Sequence, residues 1–70
     1  MSMSAGKGIL ADSTKALYRA WRRCQEHWTD ENARRFGQEF IDPIEPATRQ
    51  TIEAMDRLQS ACDEARRTCE

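Results

Sequence analysis

Cysteine, histidine and methionine are the residues of this sequence that could bind a metal. Cys24 and His27 stand three residues apart, close enough for both side chains to reach one zinc ion from a helix. A structural zinc site takes four ligands, but the chain has 1 His, and its 3 Cys form no paired spacing. Met55, Cys62 and Cys69 recur at helical spacing, where soft side chains are more typical of a helix core than of a metal site. The sequence therefore predicts no metal and no cofactor.

A second group with chemical potential consists of four arginines that flank one turn and could hold phosphates or stack on bases. They are Arg22, Arg23, Arg34 and Arg35. Glu26, Asp30 and Glu31 lie among them, so a solvated tip with salt bridges is the favoured interpretation. A small nucleic-acid-binding or anion-binding helical protein remains the alternative function. No nucleophile is paired with His27, and two thin helices offer no enclosed pocket, so no catalytic residues and no enzyme are predicted.

Composition limits the remaining function classes. The chain of 70 residues carries 11 Lys and Arg against 12 Asp and Glu, a net charge of -1 that argues against a dedicated nucleic-acid or membrane-surface protein. No segment is apolar enough to span a bilayer or to act as an ordinary secretory signal. An odd number of cysteines outside any framework is typical of thiols in a reducing cytoplasm. We expect a cytoplasmic protein with no small-molecule substrate.

Periodicity predicts a first helix after a loose N-terminal arm over residues 1–10, with a helical-hairpin domain over residues 11–70. Asp12 and Ser13 are good N-caps. Apolar residues then recur at spacings of four, three and four, which places them on one stripe of an amphipathic helix. They are Leu17, Trp21, Cys24 and Trp28, with Leu10 seven residues earlier on the same stripe.

A second helix is predicted to begin directly after Trp28, where Thr29 can cap and Asp30 and Glu31 supply negative charge to the first turn. So short a turn implies an antiparallel hairpin. Trp28 is either an anchor for a partner or an apolar plug at the hairpin end, and the plug is favoured because apolar residues that bracket a helix start commonly pack together. Gly37 makes room for the Trp21 indole.

Pro43 allows two interpretations: a bend inside one long helix, or the start of a new helix capped by Asp42 with Glu45 closing the capping box. The bend is favoured, because the apolar register continues past the proline in a heptad pattern. This register comprises Ile44, Thr48, Thr51, Met55, Leu58, Cys62, Ala65 and Cys69.

In an antiparallel hairpin the first helix can pair with the second only up to about residue 50. The later part of the heptad register then has no partner in the chain. An unpaired apolar stripe predicts an association surface, here formed by Met55, Leu58, Cys62 and Ala65. The predicted hairpin core is the set Leu17, Trp21, Cys24, Trp28, Phe36, Phe40 and Ile44.

The order Trp28-Thr29-Asp30 between two amphipathic helices, with Phe36 eight residues after the tryptophan, resembles the small WxG-type helical-hairpin proteins associated with type VII secretion. In that comparison Trp28 corresponds to the turn tryptophan, Asp30 stands at the position of the family's glycine, and Phe36 is the aromatic residue of the second helix. The resemblance implies antiparallel hairpins that dimerise into four-helix bundles and act as secreted substrates, partners or adaptors.

Together these observations predict an all-α, coiled-coil-like antiparallel hairpin with a long, proline-kinked second helix that forms a four-helix arrangement on dimerisation. Its expected function is protein–protein interaction without catalysis, as a homodimer or with a related helical hairpin. The resemblance adds export without a signal peptide as an alternative to a cytoplasmic location.

Overall fold

The computed structural model describes residues 2–69, and it is helical almost throughout. Helix α1 spans Met3–Gln25, α2 spans Glu31–Phe36, a π-helix covers Gly37–Ile41, and α3 spans Ile44–Cys69. The last three elements follow one another so closely that they form one long, slightly bent second helix. The molecule is thin, with extents of 60 × 18 × 11 Å. The predicted all-α class with a long, bent second helix is confirmed.

Helix α1 begins much earlier than the sequence pattern predicts. The Ser2 side chain caps it by accepting a hydrogen bond from the Ala5 N–H at 3.1 Å. The expectation of a loose arm is therefore wrong for residues 3–10, which are helical. Contacts with α3 explain the difference: Lys7 forms an ion pair with Asp56, and Gly6 lies against the Met55 side chain. Small residues at this end of α1 permit close packing that their weak helix propensity does not indicate.

The two long helices pack antiparallel, with Thr14 of α1 opposite Thr48 of α3. Their hydroxyl oxygens are 2.9 Å apart, and the Thr14 hydroxyl lies at the same distance from the Leu10 carbonyl of its own helix. The half-buried line of α1 runs through Leu10, Thr14, Tyr18 and Trp21. Leu17 and Cys24, predicted as core, are exposed. Polar Thr14 and Tyr18 occupy the interface because each finds a hydrogen-bond partner there, which rotates α1 away from its most apolar line.

Four aromatic rings close the end of the hairpin where α1 meets α2. The Trp21 and Trp28 ring centroids are 6.0 Å apart in an edge-to-face arrangement, and Phe36 lies 5.5 Å from Trp21 and 5.6 Å from Trp28. Phe40 extends the group, with its centroid 5.1 Å from that of Phe36. Such geometries add about 0.5–1.5 kcal/mol per pair beyond area burial. This aromatic cluster, defined as Trp21, Trp28, Phe36 and Phe40, holds the turn closed.

Asp30 caps α2, in place of the predicted Thr29. Its carboxylate accepts a hydrogen bond from the Ala33 N–H at 3.0 Å. Ala33 and Ile41 are buried, with relative exposures of 4% and 6%, and Gly37 is buried between them. Phe36 and Phe40, predicted as core, are 39% and 57% exposed. The reason is size: helices this close accept small residues along the contact line, so the large rings lie beside it.

A π-helix and a turn separate α2 from α3. The Asp42 N–H donates to the Gly37 carbonyl at 2.8 Å, five residues back, as a π-helix requires. Pro43 has no N–H to continue the ladder, and α3 begins immediately afterwards at Ile44. Pro46 falls in the first turn of α3, where backbone N–H groups have no helical partner in any case. The proline therefore marks a bend and also the start of a new helical segment.

Tyr18 bridges this bend from the opposite helix. Its hydroxyl donates to the Ile41 carbonyl at 2.7 Å and accepts from the Glu45 N–H at 3.0 Å. In an uninterrupted α-helix these two backbone groups would bond to each other, since they are four residues apart. The tyrosine oxygen is inserted between them, so it satisfies both groups and joins α1 to the bend.

We predict that Tyr18→Phe lowers the free energy of unfolding by about 1–2 kcal/mol, because both backbone groups at the bend lose their partner. Urea denaturation followed by circular dichroism measures the change. Arg19→Ala, at an exposed position one residue away, is the control and should shift stability by less than about 0.5 kcal/mol. Equal stabilities of Tyr18→Phe and the wild type would contradict a role for the hydroxyl.

Two glycines allow a matched test of the Trp21 packing. A Cβ atom added at Gly37 would lie 3.0 Å from Cζ2 of Trp21, whereas one added at Gly8 meets nothing within 4 Å. Gly8→Ala should stabilise the protein by about 0.5–1 kcal/mol through helix propensity. Gly37→Ala should lose that gain or destabilise, because the Trp21 ring is held by Trp28 and Phe36. Thermal denaturation compares the two variants, and an equal gain at both positions would refute close packing at Gly37.

Candidate interaction surface

The hairpin has two broad sides that differ in chemistry. One side carries an open groove of about 500 Å³, which continues into a second groove between the same helices. Charged side chains from both helices line them: Lys15, Arg19, Arg22, Glu45, Arg49 and Glu53. Arg49 pairs with Glu45 at 3.0 Å. We call this side the charged face.

The opposite side carries large apolar side chains. Residues in an α-helix advance by about 100° each, so Leu17 lies across the contact line from Lys15 and Arg19. The same rotation on α3 places Leu58 on the side away from Arg49. Phe36 and Phe40 lie on the side of Gly37 away from Arg34 and Gln38, which line a groove with that glycine. Leu17 is 37% exposed and Leu58 is 53% exposed. We call Leu17, Phe36, Phe40 and Leu58 the apolar face.

Ile9 lies at the outer edge of this side, on α1, and is 56% exposed. Cys24 is exposed on the same flank of α1 as Leu17, about two helical turns further along. The apolar face is therefore bordered by further apolar or weakly polar surface on α1. Exposed apolar side chains gathered on one side of a small protein mark a place where another molecule binds.

The C-terminal part of α3 extends beyond the N-terminal end of α1. Met55 and Asp56 are the last α3 residues with an identified contact to α1, through Gly6 and Lys7. Residues 56–68 are all exposed. At 1.5 Å per residue this segment is about 20 Å long. The predicted unpaired stretch exists, but it begins later than residue 50 because α1 starts earlier.

The predicted association residues differ in exposure. Leu58, Cys62 and Ala65 are exposed, whereas Met55 is half-buried against α1. Exposed residues with small or apolar side chains follow a line rotated slightly from the predicted stripe, and we call this line the α3 seam. It consists of Ala47, Thr51, Ala54, Leu58, Ala61, Ala65 and Thr68. Ala54 and Ala61 were not identified from the sequence, although their alternating spacing of three and four could have indicated them.

The four arginines at the hairpin end, Arg22, Arg23, Arg34 and Arg35, form the arginine tip, and part of its positive charge is neutralised. The Glu31 carboxylate accepts hydrogen bonds from Arg34 and also lies 3.8 Å from Nε of Arg35. The hydrogen bonds from Arg34 lower the pKa of Glu31 below its ordinary value, and its positive charge acts in the same direction. Glu31 therefore stays ionised until the pH falls through this lowered pKa, below which the ion pair is lost. Arg22 and Arg23 are exposed and form no ion pair within residues 2–68.

The structure brings together no metal-binding group in the part of the chain that it describes. No three His, Cys, Asp or Glu side chains of those residues are close enough to share an ion. Cys24 and Cys62 are exposed and unpaired with each other. The side chain of Cys69, the third residue of the Met55 and Cys62 series, lies outside the described residues. None of the described helices has the length and apolar content needed to cross a bilayer.

Comparison of the chain with protein-family models, with curated proteins and with solved structures finds no match. Its function is therefore inferred from its own residues and contacts.

We predict that Glu31→Gln increases retention on heparin at low salt, because Arg34 and Arg35 lose the carboxylate that neutralises them. Retention should disappear as salt screens the interaction, with a Debye length of about 10 Å at 0.1 M. Glu53→Gln changes the net charge equally on the charged face and is the matched control. Identical retention of the two variants would show that overall charge, and not the tip, determines binding.

Proposed function

We propose that this chain is a non-enzymatic protein–protein interaction module that binds another helical hairpin, as a homodimer or with a related chain, through its apolar face. The observation that carries the proposal is the segregation of Leu17, Phe36, Phe40 and Leu58 on one side, opposite a charged groove. Random exposure of apolar residues would distribute them over both sides. A one-sided arrangement is what an amphipathic surface needs to bury against a partner.

Limited burial within the single chain supports this proposal. Only Ala33 and Ile41 among the described hydrophobic residues are buried, and no large side chain of that part of the chain is fully enclosed. A domain this small has little stability margin on its own, and oligomerisation is a common way to extend its core. A second hairpin packed on the apolar face would cover the aromatic rings and Leu58 together. The resulting four-helix arrangement agrees with the resemblance to WxG-type proteins through Trp28 and Phe36.

The alternative function at the arginine tip has weaker support. Glu31 engages Arg34 and Arg35 together, so half of the arginine set is already paired. The remaining pair, Arg22 and Arg23, is adjacent in sequence and therefore points about 100° apart around α1. We therefore propose the interaction module and not an anion-binding protein.

We predict that Leu58→Glu dissociates the assembly, because it places a charge within an apolar contact. Multi-angle light scattering over about 1–100 μM protein under reducing conditions measures the molar mass, in a range that detects micromolar dimers. The wild type should approach about 16 kDa, twice the chain mass of 8.1 kDa, and the variant should remain near the chain mass.

Ser60→Glu is the matched control, because it adds the same charge two residues away on the opposite side of α3. It should retain the wild-type mass. Circular dichroism confirms that both variants are helical. A Leu58→Glu variant that associates as strongly as the wild type would contradict the apolar face as the binding surface, and a wild type of 8.1 kDa throughout would contradict homodimerisation.

A further inference from the structure

The exposed end of α3 is suited to pack against another helix. Its part of the α3 seam consists of small side chains around one leucine. Ala54, Ala61 and Ala65 are small residues on either side of Leu58 along the seam, and all four residues are exposed. Small residues allow two helices to approach closely, and a leucine can insert between them. The occupant of such a surface must therefore offer a large residue opposite small ones and small residues opposite Leu58.

A second copy of the same α3 meets this requirement when it runs antiparallel with the centre of the pair between Gln59 and Ser60. Leu58 of each copy then faces Ala61 of the other, and Ala54 faces Ala65. Thr51 and Thr68 meet at the two ends of the overlap. Each leucine thus occupies a site lined by alanine in its partner, with no leucine facing leucine. The seam is complementary to itself in this direction.

Charges beside the seam select the same arrangement. Arg57 and Glu64 are seven residues apart, so they lie on the same edge of α3, about 20° apart around the axis. In the antiparallel pair, residues on this edge lie beside the same edge of the other copy, and Arg57 approaches Glu64 twice by symmetry. Within the described residues Glu64 already pairs with Arg67, and Arg57 has no ion-pair partner. A parallel pair would place Arg57 level with Arg57 and never bring it to Glu64.

We infer that this chain forms an antiparallel homodimer in which the α3 seams of two copies pair about a twofold axis near Gln59 and Ser60, fixed by reciprocal Arg57 and Glu64 ion pairs. This inference rests on the proposed function as a protein–protein interaction module, and it adds a second copy, in a defined orientation, as the partner of the exposed end of α3. The contact includes Leu58 of the apolar face and does not extend to Leu17, Phe36 or Phe40. The overlap of residues 51–68 is about 27 Å long at 1.5 Å per residue. It gives the exposed end of each α3 a neighbour that its own α1 does not provide.

Charge reversal tests the pairing. Arg57→Glu alone places two carboxylates side by side at each contact, and Glu64→Arg alone places two guanidinium groups there. Each single reversal should weaken the dimer by about 10- to 30-fold, because two exposed ion pairs become two repulsions. The double variant restores opposite charges and should return within about threefold of the wild-type dissociation constant, since pairing effects are coupled within a double-mutant cycle.

Sedimentation equilibrium at about 0.05 M salt measures the dissociation constants, because screening at higher salt would reduce the differences. Arg66→Glu is the control: it reverses a charge in the same segment but on a different side of the helix, and should change the constant by less than about threefold. Circular dichroism verifies helix content in every variant. Arg57 and Glu64 are too far apart to interact within one helix, so rescue must occur between chains.

The outcomes separate the two proposals. A wild-type dimer weakened by each single reversal and restored by the double variant supports the antiparallel seam. A wild-type dimer that is unaffected by the single reversals, or not restored by the double variant, overturns the seam and leaves the interaction function intact. A wild type that remains monomeric overturns both the seam and homodimerisation.

Discussion

Two helices packed side by side can bury only one narrow line of side chains from solvent, and the rest of the structure depends on this limit. The line contains Ala33, Gly37 and Ile41, which are small or slender enough to let the helices approach. Larger residues are displaced to the flanks. Trp21 and Trp28 stay half-buried because they fold over the end of the hairpin, whereas Phe40 and Leu58 remain largely exposed. The exposed apolar face follows directly from how little two helices can cover.

Polar groups, and not apolar side chains, determine how the middle of the hairpin is aligned. The Thr14 and Thr48 hydroxyls meet across the interface, and the Tyr18 hydroxyl occupies the gap between the Ile41 carbonyl and the Glu45 N–H. Partly buried hydroxyls of this kind are useful only at one register, because a shift of one residue would leave them unpaired. They therefore specify the alignment, while the aromatic cluster holds the end closed. The bend at Pro43 becomes a point of attachment between the helices.

The sequence is sufficient to predict the helices, the tight turn at Trp28 and the closeness of Trp21 to Gly37, because each depends on local spacing and size. It does not predict the rotation of α1. Leu17 and Cys24 look like core positions by hydropathy, but Thr14 and Tyr18 take the interface through hydrogen bonds to residues more than twenty positions away. The early start of α1 was missed for a related reason: Gly6 and Gly8 suggest a loose segment, while contact with Met55 and Asp56 stabilises it as helix. The sequence also indicates the unpaired end of α3, where Leu58, Cys62 and Ala65 are exposed, but it does not indicate that Met55 is half-buried against α1.

The second helix of the hairpin is longer than α1, and this difference in length underlies the proposed association. If α1 reached the end of α3, the apolar face would be broad, and a partner could pack on it in more than one direction. Because α1 stops near Asp56, the last turns of α3 present a single seam with one leucine, alanines around it and a defined order of Arg57 and Glu64 along one edge. Apolar area supplies attraction with little preference for direction, whereas the order of charges distinguishes antiparallel from parallel pairing. Strength of association and its orientation would thus arise from different residues of the same seam: Leu58 and the alanines around it for the first, the order of Arg57 and Glu64 for the second.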